Sequence, residues 1–227
     1  MEYSAVKNLM KVKVELLGLC GAGKTTFLKG LTSQLDSDID LGLAYPVIPS
    51  LFQRTISLMR ILLTGFFIKP VSFSSFLIKR NNWWLIKKIA YRSAGIRLRA
   101  DSNFILVDSG ILQPFLSFEI EENTIDANVP IHNLLRGCKL PDLLIVFNIS
   151  PRLAMKRYEQ RGLQGDGKLI RNNSDNYFNK AEELRKNLIR YCKDKNVHII
   201  EVDSSKNFSE DYLDSKLTEI YKFLKKE

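Results

Sequence analysis

The sequence predicts an α/β fold in which a mostly parallel sheet is covered by helices on both faces. Short apolar runs alternate along the chain with longer segments of helical periodicity, which is the pattern of such folds. Two of these runs, 104–107 and 143–147, are continuously apolar, as expected of central strands in a parallel sheet. The length of 227 residues suits one α/β domain with room for a full core.

The first predicted strand leads directly into a glycine-rich loop. Val12, Val14 and Leu16 alternate with Lys11, Lys13 and Glu15, and Leu17 precedes Gly18. Apolar residues at helical spacing then predict a helix over 25–35, and a second strand is expected around 41–44.

The segment 49–100 is predicted to be mostly helical. Pro49 suits a helix start, and apolar side chains recur on one face from Leu51 onward. Pro70 should end that helix, and a further helix is expected over 83–99.

The second half of the chain continues the alternation of strands and helices. The predicted strands are 104–107, 143–147 and 197–202, and the predicted helices are 151–160, 174–195 and 209–225. Ligands of parallel sheets bind beyond the carboxyl ends of the strands. Gly18 and Asp108 both follow directly on a predicted strand.

The loop after the first strand has the phosphate-binding pattern G-x-x-x-x-G-K-[ST]. Gly18, Gly23, Lys24 and Thr25 occupy its fixed positions, and Gly21 adds a third glycine. Glycines let the backbone turn its N–H groups toward a phosphate, aided by the positive end of the following helix. Lys24 is then expected to neutralise the β- and γ-phosphates, and Thr25 to ligate Mg²⁺.

Asp108 is the predicted second ligand of that Mg²⁺ shell. P-loop proteins hold the ion with a carboxylate at the end of a neighbouring strand, and Asp108 ends the run 104–107. A loop residue or helix cap is the alternative interpretation. Asp142 precedes its strand and is expected at the opposite edge of the sheet.

Arginines on the helix after the fourth strand precede a glycine-rich, basic loop. Arg157 and Arg161 lie four residues apart, and the loop 162–171 ends in Arg171. Glycines permit a lid that opens and closes, and arginines over a transferred phosphoryl group stabilise its charge. The alternative is a solvated helix face followed by a surface loop.

The basic excess of the chain lies in one segment. Net charge is +9, yet residues 41–100 contain ten Lys or Arg and no Asp or Glu, while the rest is close to neutral. Such a segment attracts anions, although a solvated basic face remains the simpler interpretation.

Three scattered cysteines fit neither a disulfide framework nor a zinc site and favour a cytoplasmic location. The apolar stretch 61–68 within the basic segment is too short to cross a bilayer, which needs about twenty residues.

Four segments together resemble the thymidylate kinase and nucleoside monophosphate kinase family. They are 18–26, 105–108, the segment 141–162 with its helix and two arginines, and 202–206, which is similar to the family's adenine-side loop. The resemblance covers about two thirds of the chain and implies a P-loop fold with a five-stranded parallel sheet. It also implies an ATP-dependent kinase, with Lys24, Asp108, Arg157 and Arg161 at the reaction centre and a lid over 161–172.

The predicted nucleotide and metal sites follow from the loop and the resemblance together. We expect ATP and Mg²⁺ as cofactors, with Thr25 and Asp108 as metal ligands. The residues expected to bind the nucleotide are Gly18, Gly21, Ala22, Gly23, Lys24, Thr25, Thr26, Arg157 and Arg161.

The acceptor is the part of the reaction that the resemblance leaves open. The family has Arg directly after the aspartate, where this chain has Ser109, and residues 46–100 match it poorly. Because 41–100 holds no carboxylate to act as a base but many cations, we expect a small anionic acceptor such as a nucleoside monophosphate. Arg54, Arg92 and Arg97 are the predicted acceptor-binding residues.

Two other functions remain open. One is a sugar or glycan kinase of polysaccharide metabolism, for which docking on an anionic membrane through the aromatic and basic residues of 46–100 would be useful. The other is a nucleotide-controlled protein that binds membrane or nucleic acid, although the guanine motif Asn-Lys-x-Asp is missing. Among partners we expect the anionic acceptor first, keep membrane contact and a homodimer open, and expect nucleic acid least.

Overall fold

A computed structural model describes residues 12–34, 41–43, 49–68, 73, 82–98, 104–116, 131–160 and 174–224. These residues form five strands and seven helices, counted within those ranges. In chain order the elements are β1 Val12–Leu17, α1 Lys24–Gln34, β2 Leu41–Leu43, α2 Leu51–Ile68, α3 Asn82–Leu98, β3 Phe104–Val107, α4 Ile131–Leu135, β4 Leu143–Asn148, α5 Pro151–Gln160, α6 Ser174–Lys193, β5 His198–Asp203 and α7 Glu210–Leu224.

The five strands form one parallel sheet in the order β2-β3-β1-β4-β5. β1 lies in the middle, with Glu15 beside Val107 of β3 and beside Leu144 of β4. Because the strands are parallel, their carboxyl ends meet at one edge of the sheet. The glycine loop after β1 and Asp108 after β3 therefore lie at the same edge.

Helices cover both faces of the sheet. On one face α1 and α7 pack together, and Phe27, Leu31, Leu213 and Leu217 join the apolar core beneath them. On the other face α2 packs against α3 and α4 over a second core. The helix α6 contributes its first half to the first core and its second half to the other.

The predicted fold class is confirmed, and each predicted strand and helix within the described residues is present. The bounds agree to within about two residues, the usual uncertainty at frayed ends. The helix α4 was not predicted, because its five residues are too few to show a helical period. The proposed lid 161–172 lies outside the described residues, as do parts of the basic segment 46–100.

Of two acidic residues in the sheet region, the sequence predicted the position of Asp142 but not the burial of Glu15. Asp142 lies at the amino edge, as expected, where its Oδ2 accepts a hydrogen bond from the Lys13 N–H at 2.7 Å. Glu15 alternates with lysines in the sequence but is only 2% exposed. In a parallel sheet covered on both faces, the second side of a central strand is buried as well.

Candidate functional site

The loop between β1 and α1 has the shape that its glycines predict. Gly21 and Gly23 have φ values of 82° and 80°, in the left-handed region that favours glycine. A Cβ on Gly21 would also collide with the carbonyl oxygen of Ala154 in α5. The loop is thus held against α5 by backbone contact, and a side chain at position 21 would separate them.

The remaining loop residues lead into the first turn of α1. The Ala22 N–H donates to the Leu19 carbonyl at 3.1 Å, and the Phe27 N–H donates to the Gly23 carbonyl at 2.9 Å. Thr25 and Thr26 are exposed at the helix start, while Phe27 is buried in the core. The two hydroxyls therefore lie at the positive end of a helix anchored by its next residue.

The Lys24 ammonium group lies back over the glycine loop. Its Nζ donates to the carbonyl oxygens of Gly18 at 2.8 Å and of Leu19 at 3.1 Å. The long, flexible stem of lysine lets the same group turn toward a phosphate. The ammonium group therefore lies at the glycine loop, and its role in neutralising the β- and γ-phosphates stays a prediction.

Asp108 directly follows β3 at the edge where the loop begins. Since Glu15 pairs with Val107, Asp108 lies level with Leu16, two residues before Gly18. Its Oδ1 atom is buried and has no hydrogen-bond partner among the described residues. A buried carboxylate oxygen without a partner is costly unless a ligand satisfies it. Carboxylate and hydroxyl oxygens are hard ligands of the kind that Mg²⁺ prefers, so the chemistry of Asp108 and Thr25 fits their prediction as metal ligands.

Glu15 is a site-supporting residue that the sequence analysis missed. Its carboxylate accepts hydrogen bonds from the N–H of Leu112 at 2.7 Å and of Gln113 at 3.3 Å, in the segment that follows Asp108. Burial raises the pKa of Glu15 to about 7, although these N–H groups and the charge of Arg92 act in the opposite direction. Gly110 lies directly against the carboxylate, where a Cβ would collide with it.

Gln113 is the second missed residue and joins that segment to the phosphate loop. Its Oε1 accepts from the Gly18 N–H at 3.3 Å, and its Nε2 donates to the Gly18 carbonyl at 3.1 Å. The side chain is 5% exposed. The sequence carries no specific signal for Glu15 or Gln113. Polar residues in or near apolar segments are too common for the pattern to identify these two.

Arg157 has a different set of partners from those predicted. Its guanidinium group donates to the carbonyl oxygens of Ser204 at 2.6 Å and Ser205 at 3.1 Å, in the loop after β5. Hydrogen bonds from the Ser205 side chain and from its backbone N–H, the latter at 2.9 Å, lower the pKa of Asp203. Arg157 thus holds the loop that the sequence resemblance places beside adenine.

An aromatic side chain connects that loop to the phosphate loop. The Phe208 ring lies 3.3 Å from where a Cβ on Gly23 would be, and it packs edge-on against Phe27 at 5.4 Å between ring centroids. The loop after β5 and the phosphate loop therefore border the same region. Arg161 and Arg171, the predicted lid arginines, lie outside the described residues.

The predicted acceptor-binding arginines are partly engaged by the protein itself. The Arg54 Nε donates to the Pro49 carbonyl at 2.8 Å, and its guanidinium lies 4.9 Å from the centre of the Tyr91 ring in α3. Arg92, the next residue of α3, is close enough to lower the pKa of Glu15. The side chain of Arg97 lies outside the described residues. Of the two arginines whose side chains the structure describes, Arg92 is the one close to Glu15 in the central strand.

Comparison with known proteins identifies the fold. Three solved structures that resemble the chain are of a deoxyadenosine kinase from M. mycoides. The structure with bound dATP has a TM-score of 0.59 and 16% identity, covering 92% of this chain and all of that one. The structure with bound dCTP has a TM-score of 0.56 and 15% identity, and the match covers 93% of this chain and all of that one. The structure with the products dCMP and a flexible dCDP has a TM-score of 0.53 and 18% identity, and the match covers 95% of this chain and all of that one.

No protein-family model matches the chain, and no curated protein sequence matches it. The structural matches span whole chains at low identity, and they establish the fold. The fold and the glycine loop define a P-loop protein with the architecture of a nucleoside kinase.

Proposed function

We propose that this protein is an ATP-dependent kinase that transfers a phosphoryl group to a small, nucleoside-like acceptor. The observation that carries the proposal is the pairing of two features: the glycine loop with Lys24, and the Asp108 Oδ1 directly after the neighbouring strand, which has no hydrogen-bond partner within the described part of the chain. The likeness in fold to a deoxyadenosine kinase over 92% of this chain supports it. Phosphoryl transfer needs positioning and neutralised charge, and these groups supply both.

Each residue then has a specific task. The loop N–H groups and the Lys24 ammonium bind the phosphates of ATP, while Thr25 and Asp108 would hold Mg²⁺, which neutralises phosphate charge when it is bound. Arg157 holds the 204–205 loop beside the donor base. Arg161, in the lid proposed over 161–172, is the arginine that we assign to the transferred phosphoryl group.

The acceptor is proposed to bind on the α3 side of Asp108. The acceptor oxygen attacks the γ-phosphorus while the bond to the bridging oxygen breaks and ADP leaves with the electron pair. A hydroxyl acceptor would pass its proton to Asp108, whereas a phosphate acceptor needs no base. Arg92 favours an anionic acceptor, so the nucleoside monophosphate stays our finer proposal.

A turnover screen tests the proposal and separates the acceptor classes. ADP formation would be measured with deoxynucleosides, nucleoside monophosphates including dTMP, sugars and sugar phosphates. We expect a nucleoside or its monophosphate to raise turnover well above hydrolysis. Stimulation by sugars alone would replace the acceptor by a sugar, and stimulation by none would contradict the kinase function.

Two variants test the residues that carry the transfer. Lys24→Ala and Asp108→Asn should each lower kcat/KM by at least about a hundredfold, because each removes a charge from the phosphoryl-transfer site. Asp214→Asn, on an exposed position of α7, is the matched control and should leave activity unchanged. Circular dichroism would show that all three variants fold, and retained transfer in either site variant would overturn the assignment.

A further inference from the structure

The outer face of α2 exposes an unusual number of large apolar side chains. Phe52, Ile56, Met59, Leu63, Phe66 and Phe67 are between 43% and 86% exposed. Their spacing of three and four residues places them on one side of the helix, and we refer to these six as the apolar face of α2. The face extends over about 22 Å of helix, at the 1.5 Å rise per residue of an α-helix.

The opposite side of α2 is already used for packing. Ser57, Ile61 and Gly65 are buried, and a Cβ on Gly65 would collide with the Phe73 ring. α2 contacts α3 and α4 on this side. The side of the helix that carries Ser57, Ile61 and Gly65 therefore fixes it in the fold. The exposed phenylalanines are not needed for that contact.

The charges around the apolar face indicate what kind of surface would cover it. Residues 41–100 contain ten Lys or Arg and no Asp or Glu. Arg60 is exposed on α2 beside Met59, and α3, which packs on α2, exposes Lys87 and Trp83. Apolar residues bordered by cations and tryptophan match the interface of an anionic bilayer.

The charge of the segment argues against a second copy of this chain as the occupant. Two copies meeting at this face would bring two acid-free basic segments together, which opposes association. An anionic lipid surface would instead neutralise that charge.

We propose that the apolar face of α2 docks the protein on an anionic lipid surface, with Phe52 and Phe67 inserted among the lipids and Arg60 at the headgroups. In the described part of the chain, no helix is long and apolar enough to cross a membrane. The proposed contact lies in the plane of the interface, as for amphipathic helices that lie on a bilayer. It is independent of the proposed kinase activity.

Sedimentation with vesicles tests the proposal without any need for turnover. We expect the protein to bind vesicles of phosphatidylcholine mixed with phosphatidylglycerol, to bind pure phosphatidylcholine weakly, and to be released by salt. The double variant Phe52→Ser/Phe67→Ser should bind the anionic vesicles at least about tenfold more weakly. Phe52→Leu/Phe67→Leu keeps the face apolar and should retain binding.

Charge variants separate the headgroup contact from general basicity. Arg60→Gln should weaken binding about fivefold, the contribution of one basic residue near an anionic surface. Lys222→Gln removes an exposed charge on α7, on the other side of the sheet, and should bind like the wild type. An equal loss in both variants would overturn the proposed orientation.

Two further results would overturn the proposal itself. If the wild type does not bind anionic vesicles and analytical ultracentrifugation shows a dimer that the serine variant loses, the face is a contact between copies. If the serine variant is instead a less stable monomer with unchanged vesicle behaviour, other parts of the same chain cover the face. In either case the proposed kinase activity would stand or fall on its own screen.

Discussion

Gln113 and Gly18, separated by 95 residues in the chain, are joined by two hydrogen bonds. The amide of Gln113 pairs with both the N–H and the carbonyl of the first glycine of the phosphate loop. The backbone N–H of the same Gln113 donates to the buried Glu15 carboxylate in β1. The segment after Asp108 and the loop after β1 are thus held as one unit, which sets the position of Asp108 relative to the glycine loop.

Removal of that amide should loosen the phosphate loop. Gln113→Met keeps the size of the side chain but leaves both polar groups of Gly18 without their partner, at a cost of about 1–3 kcal/mol for each buried group. We expect the Kd for ATP, measured by calorimetry, to rise about tenfold or more. Thr218→Met on the exposed side of α7 is the control. An unchanged Kd in Gln113→Met would show that the two hydrogen bonds between Gln113 and Gly18 are not needed for ATP binding.

The buried Glu15 carboxyl predicts that stability falls as the pH rises. Burial raises its pKa from 4.5 to about 7, so the folded protein retains a proton that the unfolded chain releases. This contribution is complete below pH 4.5 and is lost as the pH rises to about 7, at most about 3 kcal/mol of unfolding free energy.

The variant Glu15→Gln is uncharged at every pH and should lack this dependence. Urea unfolding of wild type and variant between pH 4.5 and 8 would measure the difference in slope. Glu183→Gln, at an exposed position of α6, should keep the wild-type slope. The same slope in Glu15→Gln would mean that other groups cause the pH dependence.

Gly21 should tolerate no side chain. Its φ of 82° costs a non-glycine residue about 1–2 kcal/mol, and a Cβ would collide with the Ala154 carbonyl, which is backbone and cannot rotate away. Gly21→Ala should therefore abolish measurable ATP binding.

Gly30→Ala in α1 is the matched control for this substitution. The new methyl group would meet only the end of the Leu213 side chain, at 2.6 Å, which can change its rotamer. We expect ATP binding to persist in this variant. Equal loss of binding in the two alanine variants would show that glycine content, and not the contact with α5, matters.

Arg157 should act on ATP binding more than on the chemical step. Its guanidinium group holds the carbonyls of Ser204 and Ser205, so Arg157→Gln should release that loop. We expect the KM for ATP to rise several-fold with little change in kcat, because the lost interaction is made equally in the ground state and the transition state. Arg152→Gln, at an exposed position of the same helix, is the control. A large fall in kcat in Arg157→Gln would show that Arg157 acts at the reaction centre.

Much of the fold was predictable because local patterns carry it. The continuous apolar runs at β3 and β4 required burial on both faces, and the glycine pattern located the loop between β1 and α1. The position of Asp108 beside that loop was predictable because it directly follows a neighbouring parallel strand. The helix α4 was not, since five residues carry no period.

The amino-acid sequence by itself determined the order of the elements, the phosphate loop and the acidic residue beside it, because these depend on residues close together in the chain. Only the tertiary structure decided that Glu15 is buried, that Gln113 holds Gly18 and that Arg157 turns to the loop after β5. These contacts join residues between 47 and 98 positions apart, and they form only when the parallel strands are placed side by side. The apolar face of α2 belongs to the same group, because a helical period shows which residues share a face but not which face the fold leaves exposed.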